Sequence, residues 1–169
     1  MINMNFKAKK LVTASLIAAF CCVATILIKI PTPPFGYING GDVIVLTAGL
    51  LLSPFYGFFA AALGSCVADM FLGYFVYAPV TFFIKGLMAV IAHYIYKGAK
   101  KKLNNKVSKI IAVLPAEIFM VLGYYLFEGF LYGFIPSLVN IPLNCIQGLA
   151  AIVMGTLIAN ILEKYKIQL

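Results

Sequence analysis

The sequence contains no arginine and no tryptophan, and only 11% of its 169 residues are charged. Hydrophobic residues make up 63% of it, whereas a soluble domain averages about half apolar and about a quarter charged residues. A chain of this length exposes a large share of its surface when it folds. The scarcity of charge therefore excludes an ordinary soluble fold and predicts that lipid is the solvent for much of the chain.

Motifs of enzyme chemistry are also missing from the sequence. It has no phosphate-binding glycine loop, no zinc motif and no nucleophile next to a base. The four cysteines, Cys21, Cys22, Cys66 and Cys145, lie inside apolar runs without the spacing of metal ligands. We therefore expect buried thiols, no metal, no cofactor and no enzyme activity.

The charge that is present is strongly basic, with a net charge of +8. An excess of basic residues is typical of nucleic-acid-binding proteins. Here the lysines flank apolar segments, which favours a lipid bilayer, and no nucleic acid, as the partner.

Apolar runs of about twenty residues predict membrane-spanning helices. The block Val43–Leu72 is too long for one helix, and Ser53-Pro54-Phe55-Tyr56-Gly57 interrupts it near its middle. The Pro- and Gly-rich segment Lys29–Gly41 is expected to be a loop. The sequence thus predicts an all-α integral membrane bundle, a single domain over residues 1–169, with six transmembrane helices at about 11–28, 43–52, 55–72, 80–96, 110–131 and 137–162.

The lysine distribution predicts the topology. Eleven of the thirteen lysines lie before residue 11, within Lys97–Lys109 or after residue 162. Lysine is enriched on the cytoplasmic side of membranes. All three places are cytoplasmic only if Val43–Leu72 crosses twice, so we expect six helices with both termini in the cytoplasm of a multi-pass plasma-membrane protein. The run Leu11–Ile28 is long for a signal peptide, and we expect it to be the retained first helix.

Polar residues within the predicted helices are candidates for function, because burying them in a bilayer is costly. Asn140, Asn144 and Gln147 share one helix face by their i, i+4, i+7 spacing, as Tyr124 and Glu128 do by theirs. With Asp69 and Lys85 they fall in the outer half of the bundle. This distribution predicts an outward-facing cavity for a small polar molecule.

Structural explanations exist for several of these residues. Mutual neutralisation is one explanation for Asp69 and Lys85, and Asp42 is well placed to cap a helix. The amides of the sixth helix can join helices by hydrogen bonds. His93 is expected to be a satisfied core histidine, and Glu117 to be structural or to face a partner.

Small residues four apart in the first helix, Ala14 and Ala18, permit close approach of another helix. They serve either packing within the bundle or docking of a second protein.

Several motifs together resemble the substrate-binding S components of energy-coupling factor (ECF) vitamin transporters. They are the stretches Pro34-Phe35-Gly36-Tyr37-Ile38-Asn39-Gly40-Gly41-Asp42, Leu52-Ser53-Pro54-Phe55-Tyr56-Gly57, Gly64-Ser65-Cys66-Val67-Ala68-Asp69, Gly73-Tyr74, Tyr77-Ala78-Pro79-Val80-Thr81-Phe82-Phe83-Ile84-Lys85-Gly86 and Asn140-Ile141-Pro142-Leu143-Asn144-Cys145-Ile146-Gln147-Gly148. The resemblance covers nearly the whole chain.

The resemblance implies a subunit that binds one vitamin from outside and docks on a transmembrane T component carrying two ATP-binding-cassette ATPases. It implies docking through Ala14 and Ala18 and closure of the segment Lys29–Gly41 over the substrate. The expected substrate-binding residues are Asn39, Asp69, Tyr74, Lys85, Tyr124, Glu128, Asn140, Asn144 and Gln147.

The ligand implied is pyridoxine or hydroxymethylpyrimidine, because Glu128 and the sixth-helix amides suit a neutral or weakly basic heteroaromatic ring. Pantothenate, whose carboxylate suits a free Lys85, and another vitamin are alternatives. A solitary secondary transporter and a small membrane enzyme are the competing classes.

Overall fold

The computed structural model describes residues 6–33 and 36–164, which are mostly helical. The elements in this part of the chain are helix α1 (Phe6–Leu27), strands β1 (Lys29–Thr32) and β2 (Gly36–Asn39), and helices α2 (Gly41–Leu51), α3 (Pro54–Phe71), α4 (Ala78–Ala99), α5 (Asn105–Tyr132), α6 (Phe134–Ser137) and α7 (Asn140–Lys164). Pro34 and Phe35 of the quoted motifs, the first five residues and the tail after Lys164 lie outside the described residues.

Local sequence explains where the helices begin and end. Leu52 and Ser53 are extended, and Pro54 opens α3, where its missing N–H is not needed. The Asn104 side chain accepts a hydrogen bond of 2.9 Å from the Val107 amide, so α5 begins before the predicted Ile110. Gly133, with φ of 95°, ends α5 in a conformation that favours glycine.

Five of the described helices are long and apolar enough to cross a membrane, namely α1, α3, α4, α5 and the unit Phe134–Lys164. Helix α2 has 11 residues and extends only about 16 Å at the usual rise of about 1.5 Å per residue. It occupies the centre of the bundle, where Val45, Leu46 and Ala48 are fully buried. Neighbouring helices, rather than lipid, therefore surround most of this short segment.

The outer surface of the bundle is apolar along several helices. Phe20 on α1, Ile118 on α5 and Leu149 on α7 expose 55%, 51% and 63% of their surface. Large exposed side chains of this kind fit a lipid environment and agree with a multi-pass membrane protein.

The segment between α1 and α2 forms an antiparallel β-hairpin where the sequence predicts an irregular loop. Lys29 pairs with Asn39, and Thr32 pairs with Gly36. The Gly40 amide continues this ladder by donating a 3.0 Å hydrogen bond to the Ile28 carbonyl. Prolines are tolerated here because neither strand of an isolated hairpin has a second neighbour.

Close packing between α1 and α3 depends on Gly64. A Cβ atom at this position would lie 2.5 Å from the Ala18 carbonyl oxygen and 2.8 Å from the Cys21 Cβ. Backbone on one side of the contact cannot move away cheaply, so only glycine fits without a shift of the helices.

We expect Gly64→Ala to lower the free energy of unfolding by about 1–3 kcal/mol, the usual cost of overpacking. Gly98→Ala is the matched control, because a Cβ atom there meets nothing within 4 Å and alanine favours helix by up to about 1 kcal/mol. Thermal unfolding in detergent measures both. Equal behaviour of the two variants would contradict this account of the α1–α3 contact.

Candidate functional site

A cavity lined entirely by polar side chains lies beneath the β-hairpin, between α1, α3, α4, α5 and α7. We call it the polar chamber. The space between its side chains is small, about 30 Å³. Its lining residues are Thr25, Thr32, Tyr37, Asn39, Ser65, Asp69, Tyr77, Thr81, Lys85, Tyr124, Glu128, Asn140, Asn144 and Gln147.

Eight of the nine predicted substrate-binding residues line the polar chamber; they are Asn39, Asp69, Lys85, Tyr124, Glu128, Asn140, Asn144 and Gln147. Tyr74 is the exception. Its ring packs on Tyr37 with centroids 4.7 Å apart, and the Lys29 ammonium lies 5.5 Å from it. Tyr74 thus packs against the hairpin residues Tyr37 and Lys29 and does not line the chamber.

A buried ion pair joins Lys85 of α4 to Asp42 of α2. Asp42 is fully buried, Lys85 is 2% exposed, and the Gln147 side-chain amide donates to the second Asp42 oxygen. The suggestion that Lys85 pairs with Asp69 is therefore wrong. Asp42 is the partner because the first turn of α2 ends beside α4 within the bundle core, where an unpaired ammonium would be costly.

Asp42 does not cap α2, so the expectation that it serves as a helix cap is wrong. The residue at the N-cap position is Gly40, and Asp42 lies within the first turn of the helix. The Gly41 amide instead donates to the Asn39 Oδ1 atom at 2.8 Å. This local bond leaves both Asp42 oxygens for Lys85 and Gln147.

Two hydrogen bonds of the described hairpin residues join the hairpin to the bundle. The Asn39 backbone amide donates to Gln147 Oε1 at 2.6 Å, and the Tyr37 hydroxyl donates to Asp69. Burial, reinforced by the Asp69 carboxylate, raises the pKa of Tyr37, so this hydroxyl keeps its proton and remains a donor. Gln147 consequently connects the hairpin to the ion pair.

A second polar group surrounds Glu128, which is 3% exposed. It accepts hydrogen bonds from the Tyr77 hydroxyl at 3.3 Å and from the Asn140 side-chain amide at 2.8 Å. Nearby, the hydroxyls of Thr81 and Tyr124 lie 3.0 Å apart, and the Lys85 ammonium lies 5.2 Å from the Tyr124 ring centre.

Six lining residues were not predicted; they are Thr25, Thr32, Tyr37, Ser65, Tyr77 and Thr81. Helical periodicity could have identified two of them, because Tyr77, Thr81 and Lys85 are spaced by four. Tyr37 and Thr32 reach the chamber through the hairpin, which the sequence pattern did not predict.

His93 and Glu117, which the sequence also singles out, lie outside the chamber. His93 Nδ1 is 2.8 Å from the Leu52 carbonyl oxygen, which fits the predicted satisfied histidine. Glu117 is 3% exposed, and neither carboxyl oxygen has a hydrogen-bond partner among the described residues. It lies beside Gly148, in a lipid-facing groove between α5 and α7.

A separate apolar groove follows α1 and α3, with a volume of about 430 Å³. Its lining residues are Leu11, Ala14, Ser15, Ala18, Phe55, Tyr56, Phe59, Ala60 and Leu63. Ala14 is 6% exposed and packs in a cluster with Ala48, Leu52 and Ala60. The small residues of α1 therefore serve packing within the bundle as well as shaping the groove.

Comparison with known proteins gives one family and a common fold. Residues 5–164 match the model of the family described as ECF-type riboflavin transporter, S component. An uncharacterized protein of Pyrococcus woesei is 33% identical over 143 residues, which cover 84% of this chain and 93% of the relative.

Two solved structures share the fold at 24% identity. One is the S component of a bacterial ECF transporter, with a TM-score of 0.70 over 94% of this chain and 98% of that chain. The other is an S component for biotin from an ECF-type ABC transporter, with a TM-score of 0.64 over 95% of each chain.

Removal of one member of the buried ion pair should be much more harmful than removal of both. We expect Lys85→Ala to cost about 3–5 kcal/mol, because it leaves Asp42 buried and charged without its partner. The double variant Asp42→Asn, Lys85→Met should recover most of this loss. Lys100→Ala, at an exposed lysine, is the control and should cost less than about 1 kcal/mol.

Denaturant or thermal unfolding in detergent measures these variants. A double variant as unstable as Lys85→Ala would contradict the view that charge compensation, rather than the shape of the lysine, holds α2 against α4.

Proposed function

Because the chain belongs to the family of ECF-type riboflavin transporter S components, we propose that it is the substrate-binding subunit of an ECF vitamin importer. Its family and its structural neighbours are transporter subunits, so the chain is not an enzyme, as the sequence predicts. The observation that carries the proposal is the polar chamber, a set of fourteen polar side chains inside a bundle whose surface is apolar.

The proposed orientation follows from the lysines. Six of them lie between Lys97 and Lys109, at the end of the bundle away from the hairpin, and lysine flanks cytoplasmic ends. The proposal places six crossings and both termini in the cytoplasm of a plasma-membrane protein. The chamber and the hairpin then face the outside, where a vitamin would arrive.

The hairpin is proposed to open for the ligand. The present space of about 30 Å³ is far below the roughly 300–1,000 Å³ of typical ligand pockets. Among the described residues, two hydrogen bonds would have to break for the hairpin to lift, Tyr37 to Asp69 and the Asn39 amide to Gln147, together with the contacts of Tyr37 and Lys29 with the Tyr74 ring. A ligand can replace both hydrogen bonds, because it would meet the same carboxylate and amide.

The chemistry of the chamber favours a heteroaromatic ligand without a negative charge. Lys85 is neutralised by Asp42, which removes the main reason to expect the carboxylate of pantothenate. The rings of Tyr37, Tyr77 and Tyr124 border the chamber and offer stacking surface. We propose pyridoxine or hydroxymethylpyrimidine as the ligand, and riboflavin, which gives the family its name, as the alternative.

The proposed partners are a transmembrane T component and two ATP-binding-cassette ATPases. The groove beside Ala14 and Ala18 supports this proposal, since Leu11 and Phe55 at its edge expose 61% and 67% of their surface. Small residues at a helix surface permit close packing of a second helix in a membrane.

Binding and transport separate the proposal from its competitor. Titration calorimetry of the purified chain with pyridoxine, hydroxymethylpyrimidine and riboflavin should show binding of one of them. Uptake into liposomes should require the T component, both ATPases and ATP. Flux driven by an ion gradient through this chain alone would show a solitary secondary transporter instead.

Asn144→Ala should weaken vitamin binding about tenfold, or about 1.4 kcal/mol. The Asn144 side chain lines the chamber and is 8% exposed, and no hydrogen bond holds it to another described residue. Cys145→Ala, at an exposed position outside the chamber, is the control. Unchanged affinity in both variants would argue against this wall of the chamber as the binding surface.

Ser15→Phe should abolish uptake and leave vitamin binding intact, because Ser15 is exposed and lines the α1–α3 groove. It tests docking more cleanly than a change at the buried Ala14. Leu16→Phe, which adds an aromatic ring one residue further on at a 55% exposed site, should transport normally. Normal uptake by Ser15→Phe would exclude this groove as the docking face.

A further inference from the structure

Two buried side-chain atoms of the polar chamber have no hydrogen-bond partner among the described residues, and both are acceptors. They are Asp69 Oδ2 and Asn140 Oδ1. Asp69 is 2% exposed and Asn140 is 3% exposed, so bulk water does not serve either residue. Unsatisfied buried acceptors are uncommon in folded proteins and need an explanation.

The orientation of the Asn140 amide is fixed by its neighbour. Glu128 accepts a hydrogen bond from Asn140 Nδ2 at 2.8 Å, and a carboxylate can take only a donor at this distance. Exchange of the amide nitrogen and oxygen would set two acceptors against each other. The Oδ1 atom is therefore the end that remains without a donor.

The donors near Asp69 are the hydroxyls of Tyr37 and Thr81, and the Thr81 hydroxyl also lies 3.0 Å from the Tyr124 hydroxyl. Tyr37 has one hydroxyl proton and donates it to Oδ1 of Asp69. The Lys85 ammonium pairs with Asp42 and lies over the Tyr124 ring. Among the described residues no hydrogen bond reaches the second oxygen of Asp69, so this oxygen is open to a donor from a ligand.

The charge balance of the chamber points the same way. The charged residues that line the chamber are two carboxyl groups, those of Asp69 and Glu128, and one cation, Lys85, which pairs with Asp42 outside the lining. The pair is neutral, whereas Asp69 and Glu128 have only neutral donors. A buried site with surplus carboxylates favours a positively charged ligand and disfavours an anion.

We propose that the chamber selects a ligand by donated hydrogen bonds and positive charge. The ligand class is a heteroaromatic ring bearing a protonated amino or amidine-like group, which donates N–H to Asp69 Oδ2 and to Asn140 Oδ1. Asp69 is then the residue that determines charge specificity. This inference rests on the proposed vitamin-binding function and narrows its substrate class.

Ring-matched ligands test the proposal by titration calorimetry at neutral pH. The first series is pyridoxamine, pyridoxine and 4-pyridoxate, which carry an aminomethyl, a hydroxymethyl and a carboxylate group on one ring. The second is the aminopyrimidine, 4-amino-5-hydroxymethyl-2-methylpyrimidine, and its 4-oxo analogue. In whichever series binds, the amino member should bind about tenfold more tightly than its hydroxymethyl or oxo partner, and the carboxylate should not bind.

Asp69→Asn should remove this preference. The variant keeps an acceptor for Tyr37 but loses the carboxylate charge and one acceptor oxygen, so affinity for the amino member should fall about tenfold while affinity for the hydroxymethyl or oxo member changes by less than about threefold. Retained binding of the hydroxymethyl or oxo member shows that the variant is folded. Cys66→Ala on the same helix, outside the chamber lining, should keep the preference.

The alternative outcomes separate the inference from the function on which it rests. Tightest binding of 4-pyridoxate, of a hydroxymethyl or oxo member or of riboflavin would overturn the inference and leave a vitamin-binding subunit. An equal loss for the amino member and its hydroxymethyl or oxo partner in Asp69→Asn would overturn the role of Asp69. Binding of no member of either series and no riboflavin would overturn the proposed function itself.

Discussion

The ion pair between Asp42 and Lys85 is the interaction on which the bundle depends. It lies in the core, where an unpaired charge would cost several kcal/mol, and it joins the short central helix α2 to α4. Through Gln147 the same carboxylate is connected to α7 and to the Asn39 amide of the hairpin. A single buried carboxylate thus ties three helices to the element that covers the chamber.

This pair also determines what the chamber offers to a ligand. Because Asp42 neutralises the cation, Lys85 is not free to attract an anion. The remaining carboxylates, Asp69 and Glu128, accept hydrogen bonds from neutral donors, and one acceptor on Asp69 and one on Asn140 have no partner among the described residues. Stability of the fold and selectivity of the proposed site are therefore two consequences of one arrangement of charges.

The sequence was informative where a single helix face decided the outcome. Hydropathy located the long helices, and the spacing of Asn140, Asn144 and Gln147 placed them on one wall of the chamber. The sequence was not informative about which side chains of different helices pair with each other. Asp42 matched a capping pattern, yet Asn39 satisfies the helix start, and only the packing of α2 against α4 shows that Lys85 pairs with Asp42 rather than Asp69.

The sequence did not predict the hairpin, because proline and glycine conceal a strand pattern, and for the same reason it did not predict Tyr37 as a lining residue.

The central claim is that this bundle holds, beneath the hairpin, a molecule of the size of a vitamin that carries hydrogen-bond donors. Mass spectrometry of small molecules released from the purified, denatured protein tests it most directly. The account predicts a heteroaromatic vitamin or precursor with a basic amino group, in near-equal amount to the protein. An anionic compound, or no compound even after purification from vitamin-rich medium, would contradict it.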